Sequence, residues 1–495
     1  MIGRFGALAM MVGAFALPGS AQAAWSQAKT RHFTIYSEAK PETLQLFATK
    51  LEKFDALLRL VTGMKDDGLT NPVQVFMLSD DGEVRSLARN PNVAGFYSTS
   101  GRSGFAVLSR EPKSWRYDLG PEEVLFHEYA HHFMLHYFPA AYPAWYVEGF
   151  AEFFSVVTFA SDGRTTFGNV PLARVPTLRM MPILPLKQLL TSQANWRDPQ
   201  QGDRYYGTAW LLTHYFQYVP ARRAEFSRYL GALASGEKNV ELDSFLAGGL
   251  LAVERELRAY LKRGRIPATR YKDGTLPQVS VAIAPLDPAR GALIDQELKL
   301  TVGVPEKNRP ALIASVRAAV AKLPSNAYAA ALLAEAEWLG ENKDAALAAV
   351  DRAVAIDPTL ARAHSLRADI LLARAHQSDK PEDWKAALSA IIKANRADAE
   401  DPVPLTQFYR YHRMKGGKMP QVGYDGLAKA FALLPQNPEY RFAEAQALAV
   451  QGNYATASIL LDPLAYSPHS SSMRDEALRL KADYDAAKAS GAQGQ

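Results

Sequence analysis

The residues best suited to chemistry are His127-Glu128-Tyr129-Ala130-His131. On a helix, two positions four apart lie about 40° apart round the axis, so both imidazoles leave the same face. Their nitrogens can then meet one zinc ion. Glu128 swings to the open side of that ion, where it can accept a proton from water. The same segment holds an internal control. His132 and His136 are also four apart, on another face, with Phe133 where a base would have to stand. They are expected to be surface or hydrogen-bonded histidines. His131 and His132 are neighbours, so only one of them can face a metal together with His127.

Two histidines need a third protein ligand. The chain has no cysteine, which excludes a thiol nucleophile, an Fe–S cluster and any Cys-ligated zinc. The ligand must be His, Asp or Glu. The segment Trp145-Tyr146-Val147-Glu148-Gly149-Phe150-Ala151-Glu152 supplies two acids four apart, hence on one helix face, amid Phe150, Phe153 and Phe154. Buried carboxylates need a cation or hydrogen-bond donors. The expected division of labour is Glu148 on zinc and Glu152 hydrogen-bonding a ligand histidine from behind. The bland alternative is a polar stripe on an amphipathic helix.

Hydrophobic periodicity and turn residues indicate what positions these groups. Residues 32–36 read as a strand and 42–61 as an amphipathic helix, with Leu46, Phe47, Leu51, Phe54, Leu57 and Leu58 on one face. Residues 73–78 read as a second strand, and 93–109, broken by three glycines, as a hairpin ending in strand 105–108. Pro121-Glu122-Glu123 opens the helix that carries the histidines, with acids at its positive dipole end. Further helices are expected at 144–159, 205–218 and 221–233. Residues 265–308 are proline-punctuated and read as a linker or bridging segment with two possible strands, 279–283 and 298–302.

From 309 to about 490 the chain is rich in alanine and leucine and it repeats. Pro324 to Pro358 is 34 residues, the period of a tetratricopeptide repeat. Leu333, Ala334, Ala346, Val350, Ala353 and Pro358 fall where that pattern wants large, small, small, large, small and proline. Three more units are expected at about 359–401, 402–435 and 436–468.

The whole has 495 residues, 48% hydrophobic and 22% charged, too apolar for a disordered chain and too long for one ordinary domain. The formal net charge of +5 is spread without a Lys/Arg block, so no nucleic-acid partner is expected. Arg4, the apolar run 5–17, Pro18-Gly19 and Ala21-Gln22-Ala23 have the layout of a secretory signal peptide cleaved near residue 23. A periplasmic or secreted protein follows, with no lipoprotein cysteine and no transmembrane segment after cleavage.

Over 127–152, and in outline over about 30–260, the sequence resembles the gluzincin metallopeptidases. These are the thermolysin-like proteases and zinc aminopeptidases, with smaller peptidase-like domains often fused to tetratricopeptide repeats. The resemblance implies His127 and His131 as ligands, Glu128 as general base, Glu148 in its Glu-Gly context as third ligand, and Glu152 as the acid one turn later. It also implies a downstream oxyanion donor. The segment Tyr205-Tyr206-Gly207-Thr208-Ala209-Trp210 resembles the family's tyrosine-led helix, with Tyr206 as the chosen residue and Tyr205 its confusable neighbour. A neutral phenol can stabilise developing negative charge without competing for zinc. The zinc aminopeptidases' glycine-x-methionine-x-asparagine motif is missing from Gly101-Arg102-Ser103-Gly104-Phe105-Ala106-Val107-Leu108, which puts aminopeptidase activity in doubt. Strand 105–108 is expected to be able to pair with an extended peptide.

The expected fold class is thus an α+β zincin-like metallopeptidase domain over 24–264, a bridging segment over 265–308, and an all-α tetratricopeptide-like helical-repeat domain over 309–490. The expected function is zinc-dependent hydrolysis of peptide bonds in a peptide or protein substrate, one Zn2+ per chain, with the repeats docking a protein partner or substrate. Removing the chain past about 305 is then expected to spare hydrolysis of short peptides. Two rivals stand beside it: a non-catalytic scaffold in which the repeats bind a partner and the peptidase fold only binds, and a zinc amidase acting on cell-wall crosslinks, which uses the same residues.

Overall fold

A computed structural model of the chain describes residues 25–66, 68, 71–91, 93–111, 113, 115–191, 198–237, 239–466 and 473–491. The signal segment expected at 1–23 lies outside these residues.

A six-stranded sheet organises the first half. Its strands are β1 (Ser26–Lys29), β2 (Phe33–Ser37), β3 (Val73–Leu78), β4 (Gly95–Thr99), β5 (Gly104–Ser109) and β9 (Ala282–Pro285), in the order β4-β5-β3-β2-β1-β9. β2, β3 and β5 run parallel, while β1, β4 and β9 are antiparallel to their neighbours. Side chains alternate across the sheet, as the period of two requires. Phe33, Ile35, Val73, Val75, Met77, Ala106 and Leu108 join the core under α1 (Pro41–Thr62) and α3 (Pro121–Tyr137). Tyr36, Phe76, Leu78, Phe105 and Val107 face the other way, toward Val84 of α2 (Asp81–Ala88) and Ile294 and Leu298 of α10 (Pro288–Val302).

Three expectations are corrected here. On α1 the buried face uses Leu44, and Leu46 is 58% exposed, because a 3.6-residue repeat through Leu51, Phe54 and Leu58 reaches 44, not 46. The region 298–302 is the end of α10 and not a strand. Its Leu-Lys-Leu-Thr-Val run alternates locally, but Asp287 caps a helix at Ala289 N and Arg290 N, and burial of Leu293, Ile294, Glu297 and Leu298 follows the helical period. The segment 265–308 therefore carries β8 (Thr269–Tyr271), β9 and α10, which complete and cover the sheets. Third, strand 105–108 lies inside the sheet between β3 and β4, so its backbone is already paired; the edge strands are β4 and β9.

After α3 come α4 (Ala144–Ser155), the strands β6 (Thr158–Phe159) and β7 (Thr165–Phe167), which form a small sheet with β8, then α5 (Val175–Met180) and α6 (Leu186–Thr191). α7 (Pro199–Tyr218) starts earlier than expected because Asp198 caps it at Gln200 N and Gln201 N. α8 (Pro220–Ala234) and α9 (Gly249–Lys262) close this half. α4 is buried from Trp145 to Ser155, packed between α3 and α7.

The second half is a run of helix pairs. α11 (Arg309–Val320) packs on α12 (Ala327–Leu339), which pairs with α13 (Lys343–Ile356). The next pairs are α14 (Ala361–Ser378) with α15 (Pro381–Ala397), α16 (Pro402–Lys415) with α17 (Gln421–Leu433), and α18 (Pro438–Val450) with α19 (Tyr454–Ala465); α20 (Arg474–Ala489) covers the end. Each pair falls within one of the four expected repeat units. Ala330, Ala331, Ala334, Ala346, Ala349 and Ala353 bury together between α12 and α13, since small side chains let two helices approach closely. Among the described residues no helix is long and apolar enough to cross a membrane.

Candidate metal centre

α3 begins where Glu123 accepts a hydrogen bond from the Gly120 backbone N–H at 3.0 Å, and it delivers His127, Glu128 and His131 to one side of α4. His127 Nε2 and His131 Nε2 lie 3.1 Å apart. Glu148 Oε2, from α4, is 3.4 Å from His127 Nε2 and 3.3 Å from His131 Nε2. Ligands about 2.0–2.1 Å from a tetrahedral ion stand roughly 3.3 Å from one another. The three atoms therefore mark one face of a tetrahedron sized for a small divalent cation. Among the described residues this is the one group of three such donors close enough to share an ion. His131 and Glu148 are buried, while His127 and Glu128 are only half-buried, so the site has an open side.

The electrostatics suit the same ion. Burial would push the Glu148 carboxyl up, but His131 and His127 facing it reverse this and hold it well below the usual carboxylate range. Burial would lower His127, yet its hydrogen bond to Glu148 and the charges of Glu152, Glu148 and Glu128 raise it. With Glu152 compensated by Arg174, Glu148 and Glu128 beside the two imidazoles leave a negative field that a dication balances.

Glu152 stands one turn beyond Glu148, with Oε1 3.5 Å from His127 Nδ1. The contact is longer than the hydrogen bond expected for it, because Arg174 takes the carboxylate in a two-pronged grip. Arg174 Nη2 donates to Oε1 at 2.7 Å and Nε to Oε2 at 3.2 Å. Burial raises Glu152 and Arg174 more than offsets that, so Glu152 stays ionised. The other side of the guanidinium reaches Asp203 at 2.5 Å. Arg174 had no signature in the sequence. The only available signal was that a buried Glu152 required a cationic or donating partner.

Tyr206 comes from α7. Its ring centroid is 6.2 Å from that of His127 and lies 4.8 Å from the Arg174 guanidinium carbon. Burial and the charges of Glu148 and Glu152 push its phenol far up, so it remains a neutral donor. Tyr205 senses Glu148, and its hydroxyl is buried with no hydrogen-bond partner among the described residues. The structure thus brings His127, Glu128, His131, Glu148, Glu152 and Tyr206 to one place.

The control pair turns away. His132 Nδ1 is 2.7 Å from the Tyr97 hydroxyl on β4, and His136 Nδ1 accepts from Gln436 Nε2 at 2.7 Å. Nothing in the local sequence marks Tyr97 or Gln436, because both reach α3 from elements distant along the chain.

Gly149 explains how α4 comes so close to α7. A Cβ there would lie 2.3 Å from Thr213 Oγ1 and 2.7 Å from the Ala209 carbonyl oxygen, closer than real carbon atoms tolerate.

No protein-family model matches the chain, and no curated protein matches it. Among solved structures, a thermophilic tetratricopeptide-repeat protein of Thermus thermophilus is similar at 19% identity, covering 41% of this chain and 99% of that one, with a TM-score of 0.32.

Proposed function

We propose that the chain is a zinc-dependent metallopeptidase of gluzincin type whose helical repeats dock a protein substrate or partner. The single observation carrying this reading is the tetrahedral-face spacing of His127, His131 and Glu148, with half-buried Glu128 next to His127 on α3. Zinc, when bound, would polarise the scissile carbonyl and make the attacking water more acidic. Glu128 takes a proton from that water as its oxygen adds to the carbonyl carbon, and returns it to the nitrogen as the C–N bond breaks. Tyr206 donates to the oxygen on which negative charge develops. Arg174 and Glu152 keep the His127 ring oriented. The helical-repeat half is an architecture suited to holding another protein.

Glu128→Gln is expected to keep zinc, read by elemental analysis, and to lose turnover by several orders of magnitude on a peptide library. His127→Ala and Glu148→Ala are expected to lose the metal. A Glu128→Gln variant as active as the parent would remove the assigned base. A zinc-loaded parent that binds peptides without cleaving any would favour the scaffold reading, and cleavage confined to peptidoglycan crosslinks would favour the amidase. Export belongs to the same proposal: N-terminal sequencing of the protein from the exporting cell should begin at Ala24, and an uncleaved Met1 would contradict it.

A further inference from the structure

The two pieces of the first half that border the metal centre are both fastened to the far end of the repeats. The first is the end of α3. Arg441 of α18 is buried and sends Nη2 to the Leu135 carbonyl at 3.1 Å, satisfying an acceptor of the last helical turn that has no partner within the helix. Gln436, in the turn before α18, donates to His136 Nδ1 at 2.7 Å and stands 3.5 Å from both the carbonyl and Nε2 of His132. His132 is the residue after the candidate ligand His131.

The second piece is the β4–β5 turn. Asn437 caps α18 with its Oδ1 at Tyr440 N, and its Nδ2 donates to the Ser100 carbonyl at 3.1 Å. Asp401 caps α16 at Val403 N with one oxygen and pairs with Arg102 through the other. The Tyr440 hydroxyl donates to the Gly101 carbonyl. Each cap residue thus serves its own helix and grips the turn with its remaining polar atom. The two pieces are joined through Tyr97, whose hydroxyl meets His132 Nδ1.

We propose that this end of the repeat half is a positioning block for the metal centre. Gln436 and Arg441 set how α3 lies, and Asp401, Asn437 and Tyr440 hold the strand β4 that runs beside it. This rests on the metal-centre reading above. It replaces the expectation that removing the chain past about 305 leaves short-peptide hydrolysis intact, since that cut removes every one of these contacts.

The test uses the full chain with Gln436→Ala alone, Gln436→Ala with Asn437→Ala, and Gln436→Glu, which keeps the side-chain volume but cannot donate to His136 Nδ1 or the His132 carbonyl. Three quantities are read: zinc affinity by chelator competition, the visible spectrum of the cobalt-substituted protein, and hydrogen exchange across 121–137 in metal-free protein. The double variant should melt as a folded protein, bind zinc about ten-fold or more weakly, shift the cobalt absorption, and exchange faster over 121–137. If a short peptide substrate is in hand, its kcat should fall with KM unchanged. Gln436→Glu should behave like Gln436→Ala, since the donor and not the volume holds α3. A folded double variant with parental zinc affinity, cobalt spectrum and exchange would overturn the proposal. Should the double variant not fold, the single Gln436→Ala decides by the same readouts. If the parent itself binds no zinc, the metal-centre reading fails separately, and the exchange of 121–137 still decides whether the repeats hold α3.

Discussion

Glu152 shows how much a single side chain here depends on its partner. It is 2% exposed, beside His127, and it stays ionised because the Arg174 guanidinium meets both of its oxygens. Removing one member of a buried pair leaves the other charge uncompensated, which costs roughly 3–5 kcal/mol. Arg174→Met should therefore lower the unfolding free energy by about that much in denaturant titration. Arg174→Met combined with Glu152→Gln should recover part of the stability, since no lone buried charge remains. Full stability in the single variant would mean that the pair contributes nothing. Tyr206 belongs to the same cluster: burial and the acids around its hydroxyl, against the opposing pull of the guanidinium over its ring, make it a phenol that does not ionise at physiological pH.

The helices fix where those side chains stand. α4 carries both acids and is wedged between α3 and α7, where Gly149 allows contact that no side chain permits. The obstruction is the Ala209 backbone carbonyl as well as a threonine hydroxyl, so it cannot simply rotate away. Overpacking of this kind costs roughly 1–3 kcal/mol. Gly149→Ala should lower the melting temperature, and because Glu148 precedes it, zinc affinity should fall as well. A variant that melts lower yet binds zinc like the parent would show that α4 shifts without carrying its carboxylate along. α3 has a comparable support on its far side. The Tyr129 hydroxyl donates to buried Asp55 of α1 at 2.8 Å, and Asp55 is held by Arg59 at 2.7 Å.

Across the whole molecule the two halves are joined by buried charge at a second place. Glu297 of α10 accepts from Arg290 at 3.0 and 3.1 Å and from Arg362 of α14 at 3.0 Å, while Arg290 also reaches the Tyr36 hydroxyl on β2 at 3.0 Å. Sheet, bridging helix and repeats therefore share one ion network. Glu297→Ala leaves Arg290 without its carboxylate and should cost about 3–5 kcal/mol. It should also split a single unfolding transition into two, read by calorimetry, if this network couples the halves. One unchanged transition would assign the coupling to the other contacts between the halves, those around Asn437 and Arg441 and the apolar packing of α10 on α11 and α12.

What the sequence by itself determined is what depends on near neighbours along the chain. Four-residue spacing puts His127 with His131, and Glu148 with Glu152, on shared faces because helix geometry is local. The recurrence of small residues and prolines marked the helix pairs for the same reason. Short windows misled where local alternation opposed a longer helical period, as at 298–302. Only the tertiary structure decided which partners meet. Arg174, Tyr97, Gln436 and Arg441 lie far along the chain from the residues they hold, and many other arginines and tyrosines had equal claim by type. The choice is made by how sheet and helices pack, which is a property of the whole chain and not of any window within it.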